Sequence, residues 1–164
     1  MGRGRGGYTQ KQIWYLDSGG NKVTDRGAIF VAELYMDMGY ESVFRREHTP
    51  DKNYDLTIKS SDDLSFIKNI EVKQTTSPRS SKMASNICKG FVQLHDDYNA
   101  TVAIYLPNLK NDSTGREYAK KGFEEALRKG WVRGKVEVWF SDKTRIFMGL
   151  LKISVDKVQV NIVR

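Results

Sequence analysis

Two short β-type runs on either side of a polar turn constrain this chain more than any other feature of it. The first is Tyr54-Asp55-Leu56-Thr57-Ile58 and the second is Asn69-Ile70-Glu71-Val72-Lys73-Gln74-Thr75, with Ser60-Ser61-Asp62-Asp63 between them. Apolar and polar residues alternating in runs bounded by Ser and Asp form the pattern of a hairpin. Successive strand side chains point to opposite faces, so Ile70 and Val72 are expected in a core and Glu71 and Lys73 together on the other side. By the same rule Tyr54, Leu56 and Ile58 share one face, and Asp55 and Thr57 the other. A hairpin centred near Asp63 sets Asp55 across from Glu71. The pairing thus gathers two carboxylates and an amine on one patch of sheet.

The rest of the chain extends this pair into layers. A helix is expected over residues 25–38, capped by Thr24, with Asp25 in its first turn and Gly39 as its stop. Its middle is apolar almost all round except for Glu33, which predicts a helix buried between other elements. Val43 and Phe44 mark a core strand over 41–46, and a polar loop over 47–53 follows. The loop 76–82 carries Arg79 and Lys82 and no apolar side chain. Met83, Ile87, Phe91, Leu94 and Tyr98 recur at helical spacing, giving a helix over 81–98 with Asn86, Lys89, Gln93 and Asp96 toward solvent or a site. The apolar run 101–106, ended by Pro107, reads as a buried central strand. A third helix is expected over 116–129 with Gly130 at its end, then β-like runs at 135–140, 145–153 and 158–163. Upstream, 12–16 is a short extended piece before a turn at 17–21. The order predicts an α/β or α+β fold, a mixed central sheet flanked by helices.

A chain of 164 residues suits one domain, expected over 8–164 behind a flexible basic tail at 1–7. No stretch of about 18 apolar residues is present to cross a bilayer. No apolar segment follows the basic tail, so no signal peptide is expected. A net charge of +7 favours an anionic partner such as nucleic acid, because neutralising phosphates releases counterions. The single cysteine, Cys88, excludes an internal disulfide and a Cys-based zinc cage and is expected as a buried core thiol. His48 and His95 are too far apart to suggest a His-rich metal site. Trp131 and Trp139 lie near Arg128, Lys129, Arg133 and Lys135, where they could stack on bases. The competing reading makes Trp139 core and Trp131 a helix-end anchor.

Carboxylates on neighbouring strands, joined by a third from a helix, are the donors a hard divalent cation takes. Asp55, Glu71 and Glu33 are the expected ligands, with Mg²⁺ as the first choice and Mn²⁺ or Zn²⁺ as alternatives. Lys73 is placed to orient or deprotonate a water, or to stabilise charge in the transition state. Glu33 within an apolar helix is costly unless something pairs with it, and a metal or Lys73 would do so. Taken singly, each residue has a plainer reading: a cross-strand ion pair, a solvated acid, or a partner for Arg45 or Arg46.

A helix acid, a strand acid and then Glu71-Val72-Lys73 on the adjacent strand resemble the signature of the PD-(D/E)XK nuclease superfamily, the restriction-endonuclease-like fold. The order of elements is similar from about Thr24 to Phe140, although Tyr54 stands where the family motif has proline. The resemblance implies a metal-dependent endonuclease in which Asp55 and Glu71 hold the metal, Glu33 is a direct or outer ligand, and Lys73 serves the water. At finer grain, Thr24-Asp25-Arg26-Gly27 and Gly39-Tyr40-Glu41-Ser42-Val43 leading to Asp55 look similar to C-terminal nuclease domains of contact-dependent growth inhibition and related polymorphic toxins. This implies a substrate of RNA, tRNA before DNA, action in the cytoplasm of a target cell, and a cognate acidic immunity protein as partner. Thr75 would then line the site, Arg79, Lys82 and Lys89 would contact the substrate backbone, and His48 could serve as acid on the leaving oxygen. The alternative is a basic nucleic-acid-binding or interaction module whose acids and lysine form a structural ion-pair network.

Overall fold

The computed structural model describes residues 24–44, 54–60, 67–95, 100–150 and 158–163. The first helix, α1, runs Arg26–Asp37, and Asp25 rather than Thr24 caps it: the Asp25 carboxylate accepts the Ala28 N–H at 3.0 Å. A carboxylate there satisfies one of the orphan amides of the first turn and complements the helix dipole. Gly39 ends the segment at φ +95°, a left-handed conformation that disfavours a side chain. The helix covers one face of a sheet instead of being enclosed. Ala28, Val31, Ala32 and Tyr35 are buried, Glu33 is half-buried and Asp37 is exposed.

Among the described residues seven strands follow: β1 Tyr40–Phe44, β2 Leu56–Ser60, β3 Ile67–Gln74, β4 Ala100–Leu106, β5 Lys135–Phe140, β6 Arg145–Leu150 and β7 Val158–Val163. They lie side by side in chain order. The β1–β2–β3 pairs are antiparallel, β3–β4–β5 are parallel, and β5–β6–β7 are again antiparallel. The sheet is therefore mixed and the class α+β, as the sequence predicts. Parallel neighbours require a crossover, and α2 (Ser80–Gln93) and α3 (Ser113–Arg128) supply the two crossovers.

Both crossover helices pack on one face of the sheet, where Met83, Ile87, Phe91, Ala119, Phe123 and Ala126 meet Val102, Ile104, Val136 and Val138. α1 closes the other face over Leu56, Ile58, Ile70, Val72, Ala103 and Trp139. Strand β4 is buried on both sides, which is why its sequence is a continuous apolar run. Gly90 lets α2 approach it closely, since a Cβ there would stand 2.8 Å from the Val102 side chain.

Several boundaries differ from the sequence expectation. α2 stops at Gln93, five residues before Tyr98, and His95 turns to φ 52°. α3 begins three residues early because Asp112 accepts the Gly115 N–H at 2.9 Å, making a cap of a segment that reads as loop. Cys88 is half-buried, not a core thiol. The tail 1–7, the piece 12–16, the loop 47–53 with His48, and Arg45 and Arg46 lie outside the described residues. No helix among the described residues is long and apolar enough to cross a membrane.

Candidate active site

The hairpin forms in the register its sequence implies, with Leu56 opposite Ile70 and Thr57 opposite Asn69. Strand β2 begins at Leu56, so β3 runs on past it through Glu71 to Gln74. Asp55 occupies the gap. Its amide donates to the Ile70 carbonyl at 2.9 Å, and its carboxylate accepts the Val72 N–H, also at 2.9 Å. The chain bends there. Tyr54 consequently packs into the α2–α3 cluster instead of sharing a face with Leu56 and Ile58.

Glu71 and Lys73 stand in register with Val102 and Ile104 of β4, on the face that α2 covers. Glu71 is only 2% exposed. One of its oxygens, Oε2, lies 3.1 Å from Lys73 Nζ, and the other, Oε1, is buried with no hydrogen-bond partner. The Lys73 ammonium also donates to Gln93 Oε1 on the last residue of α2, at 2.6 Å. Protonated, the Glu71 carboxyl can donate to Asp55; ionised, its Oε1 has no donor. Burial, and then the charge of Asp55, push the Glu71 carboxyl up to about 8 against the pull of Lys73. Asp55 is raised as well, chiefly by burial, although the Val72 amide draws it back.

A third acid acts on this pair, and it is Asp25, not Glu33. The charge of Asp25 raises the Asp55 pKa. Gly27, two residues on, brings the start of α1 against Val72 and Gln74, at 3.3 and 3.5 Å from where a Cβ would lie. Glu33 lies eight residues beyond Asp25, about 12 Å along the axis at ~1.5 Å per residue. It is half-buried on α1, the helix that covers the face opposite Glu71. The expected set Glu33, Asp55 and Glu71 is thus not brought together. Among the described residues, no group of three or more His, Cys, Asp or Glu side chains is arranged to hold a metal ion.

The remaining candidates are distributed around this pair. Thr75 is buried, and its hydroxyl accepts the Ser77 N–H at 3.3 Å, which ties it to the turn leading into α2. Arg79 precedes α2, and it, Lys82 and Lys89 are exposed. Trp139 is core, with its indole N–H 3.0 Å from Glu137 Oε1. Trp131 packs half-buried against the α2–α3 cluster, with Lys129 Nζ 4.8 Å from its ring centroid.

The sequence reading passes over a second buried acid, Glu137. It is fully buried on the α1 side of the sheet, 2.7 and 2.9 Å from the Tyr35 hydroxyl and 2.7 Å from Lys68 Nζ. The Tyr35 oxygen in turn accepts from Lys68 at 2.8 Å and from Arg145 at 2.9 Å. Its signal was an acid interrupting the apolar strand Lys135–Phe140, the same signal that singled out Glu71.

The two acids differ in how they are satisfied. Glu137 has donors on both oxygens, whereas Glu71 keeps one buried oxygen without a donor beside the half-buried Asp55 carboxyl. An unpaired acceptor of this kind is costly, and a cation removes the cost. The donors are all oxygen, which suits Mg²⁺ or Mn²⁺ better than Zn²⁺. Two carboxylates suffice for Mg²⁺, which commonly retains waters and takes further oxygens from a substrate phosphate. Comparisons with family models, curated proteins and solved structures give no match to this chain.

Proposed function

We propose that the chain is a metal-dependent endonuclease that hydrolyses phosphodiester bonds in nucleic acid. The observation that carries this reading is Glu71: a buried carboxylate with a bare oxygen, set against Asp55, with Lys73 beside it. Asp55 and Glu71 would hold the cation. When bound, a divalent ion supplies Lewis acidity, offsetting charge on the phosphate and making water more acidic.

The chain's own residues do the rest. Asp55 is fixed by the Val72 amide, so its free oxygen has a defined direction. Lys73 presents an amine beside the same carboxylates, where it can orient the attacking water or offset charge on the phosphate. Water oxygen bonds to phosphorus and gives up a proton to solvent, the P–O bond to the leaving oxygen breaks, and that oxygen takes up a proton from solvent. Exposed Arg79, Lys82 and Lys89 on and before α2 supply charge for the substrate backbone.

The likeness to toxin nuclease domains favours tRNA as substrate, cut in the cytoplasm of a target cell, with an acidic immunity protein as partner; the net charge of +7 agrees with both anionic partners. The test is incubation with tRNA and, separately, supercoiled plasmid DNA in Mg²⁺ or Mn²⁺. Asp55→Ala and EDTA should each abolish cleavage. Cleavage that survives both, or a folded wild-type chain that cuts neither substrate, overturns the assignment. Growth arrest on expression, relieved by an acidic protein produced alongside it, tests the toxin reading.

A further inference from the structure

We propose that Gln93 is a positioning residue for Lys73; the inference rests on the endonuclease reading above. Lys73 Nζ has two anchors, Glu71 Oε2 at 3.1 Å and Gln93 Oε1 at 2.6 Å. The two are not equivalent. Glu71 is the carboxylate that a cation would claim, and a cation bound there competes with the ammonium for the same charge. Gln93 is neutral and on a different element, so its hold on Lys73 does not weaken when the carboxylates are occupied.

The geometry of the amide is unambiguous, because an ammonium only donates and must face the amide oxygen. Gln93 is itself held in place. It closes α2 between Phe91 and Leu94, each 1% exposed and packed into the core. Lys73 has a flexible four-carbon stem, and with Glu71 as its one anchor it would be free to swing away once that anchor is taken. A neutral acceptor at this point aims the amine without adding a negative charge that would bind the cation in the wrong place. Two of the three ammonium hydrogens are used by Glu71 and Gln93, and the third remains for water or phosphate.

Two variants separate positioning from simple packing. Gln93→Leu keeps the volume and removes the acceptor, while Gln93→Glu keeps an acceptor oxygen. On the substrate that the wild type cuts, Gln93→Leu should lower kcat about 100-fold with KM unchanged within about twofold. Gln93→Glu should recover most of that loss, and Mn²⁺ affinity by calorimetry should be the same in wild type and Gln93→Leu. In a Lys73→Ala background Gln93→Leu should cost nothing further, because its effect runs through the amine. A kcat for Gln93→Leu within twofold of wild type, or an added loss in the Lys73→Ala background, overturns the proposal.

A second measurement does not depend on cleavage. In the Mg²⁺-loaded protein the Lys73 side-chain ammonium should give a ¹⁵N resonance protected from exchange with water, lost in Gln93→Leu and kept in Gln93→Glu. If the wild type cuts neither substrate, the endonuclease reading fails, and this resonance alone decides whether Gln93 holds the amine. Its persistence in Gln93→Leu overturns the proposal.

Discussion

Lys73 reaches one oxygen of Glu71 at 3.1 Å and leaves the other buried without a donor. The pair is thus a half-finished site, with an amine in place on one side and an unanswered acceptor oxygen on the other. Glu71→Gln should fill the deficit with an amide that can donate to Asp55. The metal-free variant should be more stable than wild type at pH 8 by about 1–2 kcal/mol, read as a higher Tm by calorimetry, while Mn²⁺ affinity falls at least about 100-fold. A lower Tm with intact Mn²⁺ binding would show that Glu71 is a structural acid.

The pH dependence follows from the direction of the shift. Glu71 is raised from 4.5 to about 8, so between those values the folded chain holds a proton that the unfolded chain has released. Stability of the metal-free protein should therefore fall as pH rises through this window and level off above it. Cation binding displaces the proton, so apparent Mn²⁺ affinity should climb by up to about tenfold per pH unit below 8 and then flatten. Thermal melts from pH 5 to 9, with and without Mn²⁺, would measure both trends.

Removing the amine tests a different link. Lys73→Ala should leave the fold intact and cation binding measurable while lowering kcat by about 10²–10⁴-fold. Single-turnover cleavage assays compared with Mn²⁺ titrations would separate the two effects.

Asp25, not Glu33, is the helix acid whose charge reaches Asp55. Asp25→Asn keeps a good helix cap and removes the charge that raises Asp55, so the Asp55 pKa should fall. Mn²⁺ affinity should weaken about two- to tenfold as one nearby negative charge is lost. Glu33→Gln, roughly two helical turns away, should change that affinity less than about twofold. Calorimetric titration of both variants distinguishes them.

These outcomes mark where the sequence was legible. The hairpin register was readable because one-residue slips flip every side chain, so Leu56, Ile58, Ile70 and Val72 exclude odd slips and the polar turn sets the rest. That register delivered Asp55, Glu71 and Lys73 to a common patch. Glu33 misled because an acid in an apolar helix looks the same wherever the helix packs, and sequence does not tell which face of the sheet α1 covers. Asp25 was hidden because Thr24 is an equally good cap by type, and only the bond to Ala28 decides between them. Gln93 was visible as a polar position on α2 facing solvent or a site, but its partner Lys73 is set by how α2 crosses β3. Glu137 and Glu71 carry the same strand signal, and only the count of donors around each separates them.

Glu137 gives the contrasting experiment. With Lys68, Tyr35 and Trp139 bonded to it and Arg145 at 4.0 Å, its removal strands two cations in a poorly hydrated pocket. Glu137→Ala should cost about 3–5 kcal/mol, seen by urea denaturation, with no gain at any pH. Glu71→Gln and Glu137→Ala should therefore move stability in opposite directions although both remove a buried acid.

The strictly sequential order of the strands has a kinetic consequence. Asp55, Glu71, Lys73 and Gln93 fall within one stretch of chain from just before β2 to the end of α2, so the loops that must close to assemble them are short. The bonds from Tyr35 to Glu137 and Arg145 span 102 and 110 residues and close far larger loops. Loop-closure entropy delays such distant contacts. Refolding should register the Asp55–Glu71–Lys73 patch first and lock α1 down onto β5 and β6 last, with Tyr35→Phe accelerating unfolding far more than it slows folding.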